Sequence, residues 1–372
     1  LSLLADAHMM NKEPELAKES LQKAMELNPQ NTEVRLAMAK FLARTGDLGG
    51  SMKRLDEALK LAPNDMDILL AKTELLAAKK DMKGVQSMLV RIKTAYPDKP
   101  LGYFQLGQLY ASQKKYDDAI REYEQALKRS TDTYQVLSAI VKVSLARGKP
   151  DMAIKRLNDI LKETPGHPFA HELLAEVYVT QKKYTEAEKE FHEAIKISPT
   201  SSIPYRNLAN IHLVRGEFPA AEKVYQQGLH AIPEDAELLL HLAGAYERTR
   251  DYDKAIATYE RVLKKDAEYT AAANNLASIL TDQKGDVKSL KRAKELASRF
   301  ETSQQPAFRD TLGWVYYKSG EVDKAIALLE TVVKQAPKAP IFHYHLGMAY
   351  HKKGDNTAAK THLAKAVEDK SD

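Results

Sequence analysis

Eleven histidines and 51 carboxylates are what this chain has for acid–base or metal chemistry, and no cysteine adds a thiolate to them. His167 and His171, in "GHPFAH", stand four apart, a spacing that places two imidazoles on one helical face. Pro168 interrupts that helix and leaves His167 in a turn. His343 and His345 are two apart on a predicted helix and so point to different faces. Glu186, Glu188 and Glu190 fall at the solvent positions of another predicted helix, where carboxylates keep a face hydrated. No G-x-x-x-x-G-K-[ST] or G-x-G-x-x-G phosphate loop, no H-E-x-x-H and no G-x-S-x-G is present. The absence of cysteine excludes disulfides, thiolate zinc sites and cysteine nucleophiles. The sequence therefore reads as non-enzymatic, with no cofactor and no metal site.

Lys and Arg outnumber Asp and Glu by 56 to 51 over 372 residues, an excess too small and too dispersed for a nucleic-acid footprint. No apolar run reaches the ~18 residues that a membrane-spanning helix needs. The chain opens at "LSLLADAH" without an initiator Met, in what reads as the middle of a helix. That leaves room for an upstream segment carrying a targeting signal or a lipid anchor.

The elements that position these residues announce themselves by repetition. Pro29, Pro63, Pro97, Pro165, Pro199 and Pro233 lie on one 34-residue grid, with Thr131 and Ala267 at its two empty points. A small residue precedes most grid points by twelve: Ala17, Ser51, Ala119, Ala153, Ala187, Ala221 and Ala255. After a two-residue insertion near "DQKGDVKS" the pattern resumes with Ala325, Pro337 and Ala359. The spacing predicts eleven units in one array: 1–31, 32–65, 66–99, 100–133, 134–167, 168–201, 202–235, 236–269, 270–305, 306–339 and 340–372.

Within a unit the physical logic is plain. Tyr103, Leu106, Gly107 and Tyr110 form one stripe of an amphipathic helix, and Ala119, Tyr123 and Ala126 form the matching stripe of a second. Between them "QKK", or elsewhere "RTGD", "RGKP", "VRGE", "KSGE" or "KKGD", supplies a turn with Gly or a basic residue suited to a helix C-terminus. Small residues such as Gly107 and Ala119 let the two helices approach closely. Proline stops the second helix.

These residues resemble the tetratricopeptide repeat, whose pattern runs L-G-x2-Y, then A-x3-F-x2-A and a terminal Pro. The unit from Pro168 carries Leu174, Ala175, Tyr178, Ala187, Phe191, Ala194 and Pro199, and the last carries Leu346, Gly347, Tyr350, Ala359, Leu363 and Ala366. The resemblance implies an all-α, right-handed solenoid of about eleven stacked helix hairpins, because a lone hairpin leaves its apolar stripe bare. Two units depart from the pattern. The one from Met66 has Thr73, Val85 and Ile92 at small-residue positions, and the one from Thr270 has the insertion and Ala297. Looser packing is expected in the first, and altered superhelical geometry at both.

In this family the first helix of each unit lines a concave groove that binds a peptide or a helix of another protein. Carried onto this sequence, the groove positions are Arg206, Asn207 and Asn210, His241, Asn274 and Asn275, Asp310, Trp314 and Tyr317, and His345. Asn207 and Asn275 hold the position that, in long members of the family, presents a ladder of asparagines to a ligand backbone. A carboxamide suits that role because it both donates and accepts, although either residue could equally be an ordinary solvated side chain. Arg206 and Asn210 match half of the carboxylate clamp of chaperone co-factors, but His241, Ala271 and Asn275 depart from the rest, which argues against a chaperone-tail receptor. Trp314 reads either as a buried residue near the array end or as a stacking platform for a ligand.

The stretch containing "NNLASILTDQKGD", "TLGWVYYKSGEVDKAIALLETVVKQAP" and "HYHLGMAYHKKGD" resembles bacterial tetratricopeptide proteins of exopolysaccharide-export and exosortase systems, many of them lipid-anchored. That resemblance implies a periplasmic or outer-membrane-associated scaffold, with the cytoplasm as the alternative. The expected partner is a protein or peptide, and the competing reading is a self-associating spacer without a dedicated groove.

Overall fold

A computed structural model describes residues 2–368, and among them every regular element is helical. The chain divides after Val177 into two compact units. The first holds the pairs α1 (Ser2–Met10) and α2 (Pro14–Leu27), α3 (Thr32–Arg44) and α4 (Leu48–Leu61), α5 (Met66–Ala78) and α6 (Met82–Ala95), α7 (Pro100–Ser112) and α8 (Tyr116–Leu127), and α9 (Thr133–Ala146) and α10 (Pro150–Glu163). Helix α11 (Ala170–Thr180) begins in the first unit and ends in the second. The second continues with α12 (Tyr184–Ile197), then α13 (Ser202–Val214) and α14 (Phe218–Ala231), α15 (Ala236–Arg248) and α16 (Tyr252–Lys265), α17 (Thr270–Ile279) and α18 (Val287–Ala297), α19 (Pro306–Lys318) and α20 (Val322–Gln335), and α21 (Pro340–Lys353) and α22 (Asn356–Glu368).

In each unit the first helices of successive hairpins pack on one another as well as on their own partners. Helix α3 meets α5 and α7 meets α9 in the first unit, while α13 meets α15, and α19 meets both α17 and α21, in the second. The first helices therefore make a layer of their own. The close approach predicted at Gly107 is real, since a methyl there would stand 2.5 Å from the Tyr123 ring. The hairpin from Met66 buries its larger residues, with Val85 6% and Ile92 1% exposed, and Thr73 satisfies its hydroxyl on the Leu69 carbonyl at 2.8 Å.

The proline grid has a second use beyond stopping helices. The side chain six residues after the proline donates to the proline's own carbonyl, which the helix end leaves unsatisfied. Tyr103 donates to Pro97 and Tyr205 to Pro199, each at 3.2 Å, while His343 Nε2 bonds Pro337 at 2.9 Å and His171 Nε2 bonds Pro165 at 3.1 Å. A cation one repeat further on adds to this: Arg129 donates to the Pro97 carbonyl, and Arg299 to the Ala267 carbonyl, both at 2.6 Å. His171 is thus a helix-end donor, and no group of three or more metal-ligating side chains occurs among the described residues.

Within hairpins the tight turn places one residue in the left-handed region. Gly46, Gly148 and Gly216 take it freely, whereas Lys80, Lys114, Lys182 and Arg250 take it at φ of 59–61°. The two-residue insertion is absorbed by a π-helical turn, Leu280–Lys284, closed by Gly285 at φ 65°. A 3₁₀ turn, Ser298–Phe300, then buries Phe300, stacked 5.1 Å from Phe308.

Candidate functional site

The residue that closes the groove between the two helices of a hairpin recurs every 34 positions on the second helix. It is Leu55, Leu89, Tyr123, Leu157, Phe191, Tyr225 and Tyr259, and each is at most 3% exposed. A leucine or phenylalanine ends in the core, but a tyrosine carries its hydroxyl through to the far side, among the first helices. At Tyr259 that hydroxyl is satisfied: it donates to the Glu247 carboxylate and accepts from Asn275 Nδ2 at 3.2 Å. Burial pushes the Glu247 carboxyl up, opposed by the hydrogen bond from Tyr259, and pushes the Tyr259 phenol far up.

The same two places, counted back along the repeat, vary in size. Before Tyr225 they hold Leu213 and His241, and a cleft of about 340 Å³, which Glu247, Tyr259 and Asn275 also line, lies beside them. Before Tyr123 they hold Ala111 and Ala139, and the cleft is about 610 Å³. Before Leu55 they hold Ala43 and Ala71, and it is about 710 Å³. Smaller side chains leave larger clefts, as packing requires.

The cleft between α13, α15 and α17 gathers Asn210, His241 and Asn275, with Gly244 and Arg248 beside them. Tyr225 lines it too, its phenol pushed up to about 12 by burial against the influence of Arg206 and Arg248, and its hydroxyl has no hydrogen-bond partner among the described residues. Asn210 and His241 are exposed, and Asn207 is half-buried. Arg206 pairs with Glu237 at 3.7 Å, and Glu237 also lies 3.9 Å from His241 and accepts from Tyr269. Although part of its surface stays exposed, the His241 imidazole is held below its ordinary range, first by the partial desolvation that the cleft imposes and then by Arg206, against the opposing influence of Glu237. Asn274 donates to Asn275 at 3.3 Å and has its own Oδ1 buried without a partner among the described residues.

The remaining predicted residues form a separate and self-sufficient group on α19 and α21. Trp314 is 8% exposed, with Tyr317 stacked on it at 4.6 Å and His345 at 4.1 Å. Its indole N–H donates to Asp282 of the π-helical turn at 2.7 Å. His345 Nδ1 reaches both oxygens of the buried Asp310 carboxylate, at 2.8 and 3.0 Å. Trp314 is thus a buried residue and not an open platform, and Asp310 faces its partner instead of the groove. Glu188, read as solvated, accepts from Arg215.

Burial raises the Asp310 carboxyl, against the lowering influence of His345. A carboxyl raised in the folded chain stabilises it fully below the unfolded value of about 4 and loses that contribution as pH rises through the folded value. Asp310→Asn keeps an acceptor for His345 without the charge. Its stability relative to the native chain should therefore improve as pH rises from about 4 to about 7. Urea unfolding of both proteins at the two pH values measures this, and a difference that stays constant would mean that Asp310 does not titrate abnormally.

Sequence reasoning passed over Tyr123, Tyr225, Tyr259 and Glu247, because aromatic residues on a packing stripe read as core. The available signal was the pairing of a tyrosine with Ala111 and Ala139, two small residues whose relation to it appears once the repeats are stacked.

No helix among the described residues is long and apolar enough to cross a membrane. Three models of the tetratricopeptide repeat match the chain: one at 206–270, 246–289 and 311–372, a second at 8–72 and 110–177, and a third at 170–201. No curated protein matches it. Similar solved structures include the APC/C hetero-tetramer Cut9–Hcn1, 13% identical over 98% of this chain and 92% of that one with a TM-score of 0.46. Yeast Tom70 is 15% identical over 97% and 90%, at 0.43. Naa15/Naa10 bound to HypK-THB is 15% identical over all of this chain, at 0.37, and this chain spans 63% of that one. With repeat models matching well over half of its length, the chain belongs to the tetratricopeptide-repeat family.

Proposed function

We propose that the chain is a non-enzymatic scaffold that holds an extended segment of a protein partner along the first helices of its second unit, centred on the cleft between α13, α15 and α17. The observation that carries this reading is the convergence of Asn210, His241, Arg248 and Asn275 on one cleft whose floor ends in the hydroxyl of Tyr225. Carboxamides and a phenol serve a peptide backbone, which presents both donors and acceptors. Glycine at position 244 leaves space above the helix, since nothing lies within 4 Å of where its Cβ would be.

A pull-down from the native cell followed by peptide mapping identifies the segment. The double substitution Asn210→Ala, His241→Ala should then weaken its binding roughly five- to a hundred-fold, from about 0.5–1.5 kcal/mol per lost hydrogen bond. Both side chains are exposed, so the fold should be retained. Unchanged affinity in a folded double variant would place the partner elsewhere, and a mass in solution that rises with concentration, with no partner captured, would favour self-association. The setting we propose, a bacterial envelope system for exopolysaccharide export, rests on the resemblance of the last hundred or so residues. Fractionation of the native cell tests it, and recovery of the chain in the cytoplasm would count against it.

A further inference from the structure

We infer that the cleft between α7, α8 and α9 takes a carboxylate of an acidic peptide segment from a partner protein, with the hydroxyl of Tyr123 as its donor. The chain supplies its own precedent. Where the equivalent phenol, Tyr259, is satisfied, the group that accepts from it is a carboxylate, Glu247, and Asn275 completes the arrangement. At Tyr123 both of those places are cut back to methyl groups, Ala111 and Ala139, and the space of about 610 Å³ that results is bordered by both.

The Tyr123 ring is 3% exposed and its phenol is pushed up to about 12 by burial, yet its hydroxyl has no hydrogen-bond partner among the described residues. The hydroxyl opens onto the cleft, where an acceptor from outside the chain can reach it. The cleft selects which acceptor. Lys114 and Lys142 line it, no Asp or Glu does, and neither lysine is ion-paired among the described residues. Phe104, whose ring lies 5.6 Å from that of Tyr123, adds an apolar wall for a neighbouring side chain of the segment. The corresponding cleft two repeats earlier has Leu55 for its floor, and in its lining Glu33 and Glu74 offset Lys40 and Arg44, so it has neither the donor nor a net positive charge. Charge complementarity, a donor on the cleft surface that is unpartnered among the described residues, and an internal carboxylate in the equivalent place all lead to the same occupant.

The test uses the full chain and two fluorescein-labelled pentapeptides, Glu-Glu-Phe-Glu-Glu and its glutamine counterpart, in anisotropy titrations at fixed ionic strength. The acidic peptide should bind about tenfold or more tightly than the glutamine one. Tyr123→Phe, which keeps the packed ring and removes only the O–H, should cost the acidic peptide about tenfold and leave the glutamine peptide nearly unchanged. Ala111→Glu, which plants in the cleft the carboxylate that Glu247 supplies at Tyr259, should abolish binding of the acidic peptide. Should that variant misfold, Tyr123→Phe alone decides. The inference is overturned if the acidic peptide fails to bind or binds no better than its glutamine counterpart. It is equally overturned if Lys142→Ala weakens binding while Tyr123→Phe does not, since attraction at the rim would then account for everything.

Discussion

Replacing Trp314 by alanine should destabilise the α19–α21 region by about 3–5 kcal/mol, the cost of emptying a fully packed indole site. Two stacked rings, Tyr317 and His345, would each lose a face, and Asp282 would lose the N–H that now holds the π-helical turn against α19. Trp314→Phe separates the two contributions, because it keeps most of the stacking and forfeits the hydrogen bond, and it should cost about 1–3 kcal/mol. Since the chain has a single tryptophan, its own fluorescence disappears with the substitution. Hydrogen exchange of the amides in α19 and α21 reads the effect locally, which also suits a repeat array whose unfolding need not be all-or-none. Native-like protection in the alanine variant would mean that the indole is peripheral to the packing.

The second large effect is expected from a single methyl group. A Cβ added at Gly102, in α7, would sit 2.8 Å from the backbone nitrogen of Lys93 and 2.9 Å from its Cα, in α6. Main-chain atoms have no rotamer through which to yield, so the two helices must separate. Gly102→Ala should therefore cost near the upper end of the usual overpacking range of about 1–3 kcal/mol. Gly244→Ala makes the opposite case in the opposite unit: it is mid-helix with open space around it, and should stabilise by about 0.5–1 kcal/mol through the lower entropy of the unfolded chain. Melting temperatures that move in the same direction for both would contradict the packing described here.

The hairpins were legible in the sequence because their signal is periodic: the prolines, the small residues twelve positions before them, and the turn residues all repeat at 34, and each has a local cause. The clefts were not legible in the same way. Ala37, Ala71 and Ala139 look bland at the ladder position when each is read alone, which draws attention to the asparagines of the second unit. Only when Ala139 is set against Tyr123 and Ala111, on three different helices, does the absence of side chains become an opening. Asp282 illustrates another limit, since its contact with Trp314 depends on how a two-residue insertion is accommodated, and a π-helical turn cannot be read from residue types. Asp310 and His345 read from the sequence as two separate groove positions, whereas in the structure their side chains, on α19 and α21, bond each other and are both largely buried.

The bonds from Arg129 to the Pro97 carbonyl and from Arg299 to the Ala267 carbonyl bear on how such a chain can be cut and recombined. Each fastens the last residues of one hairpin's second helix to the turn that closed the hairpin before it. A gene fragment trimmed at the proline grid therefore severs this fastening at its upstream edge, however faithful it is to the repeat. Domain swaps or minimal fragments drawn from this chain should instead begin a full second helix earlier, so that Arg129 travels with residues 82–97, and Arg299 with residues 252–267, and the exchanged piece arrives with its own closure intact.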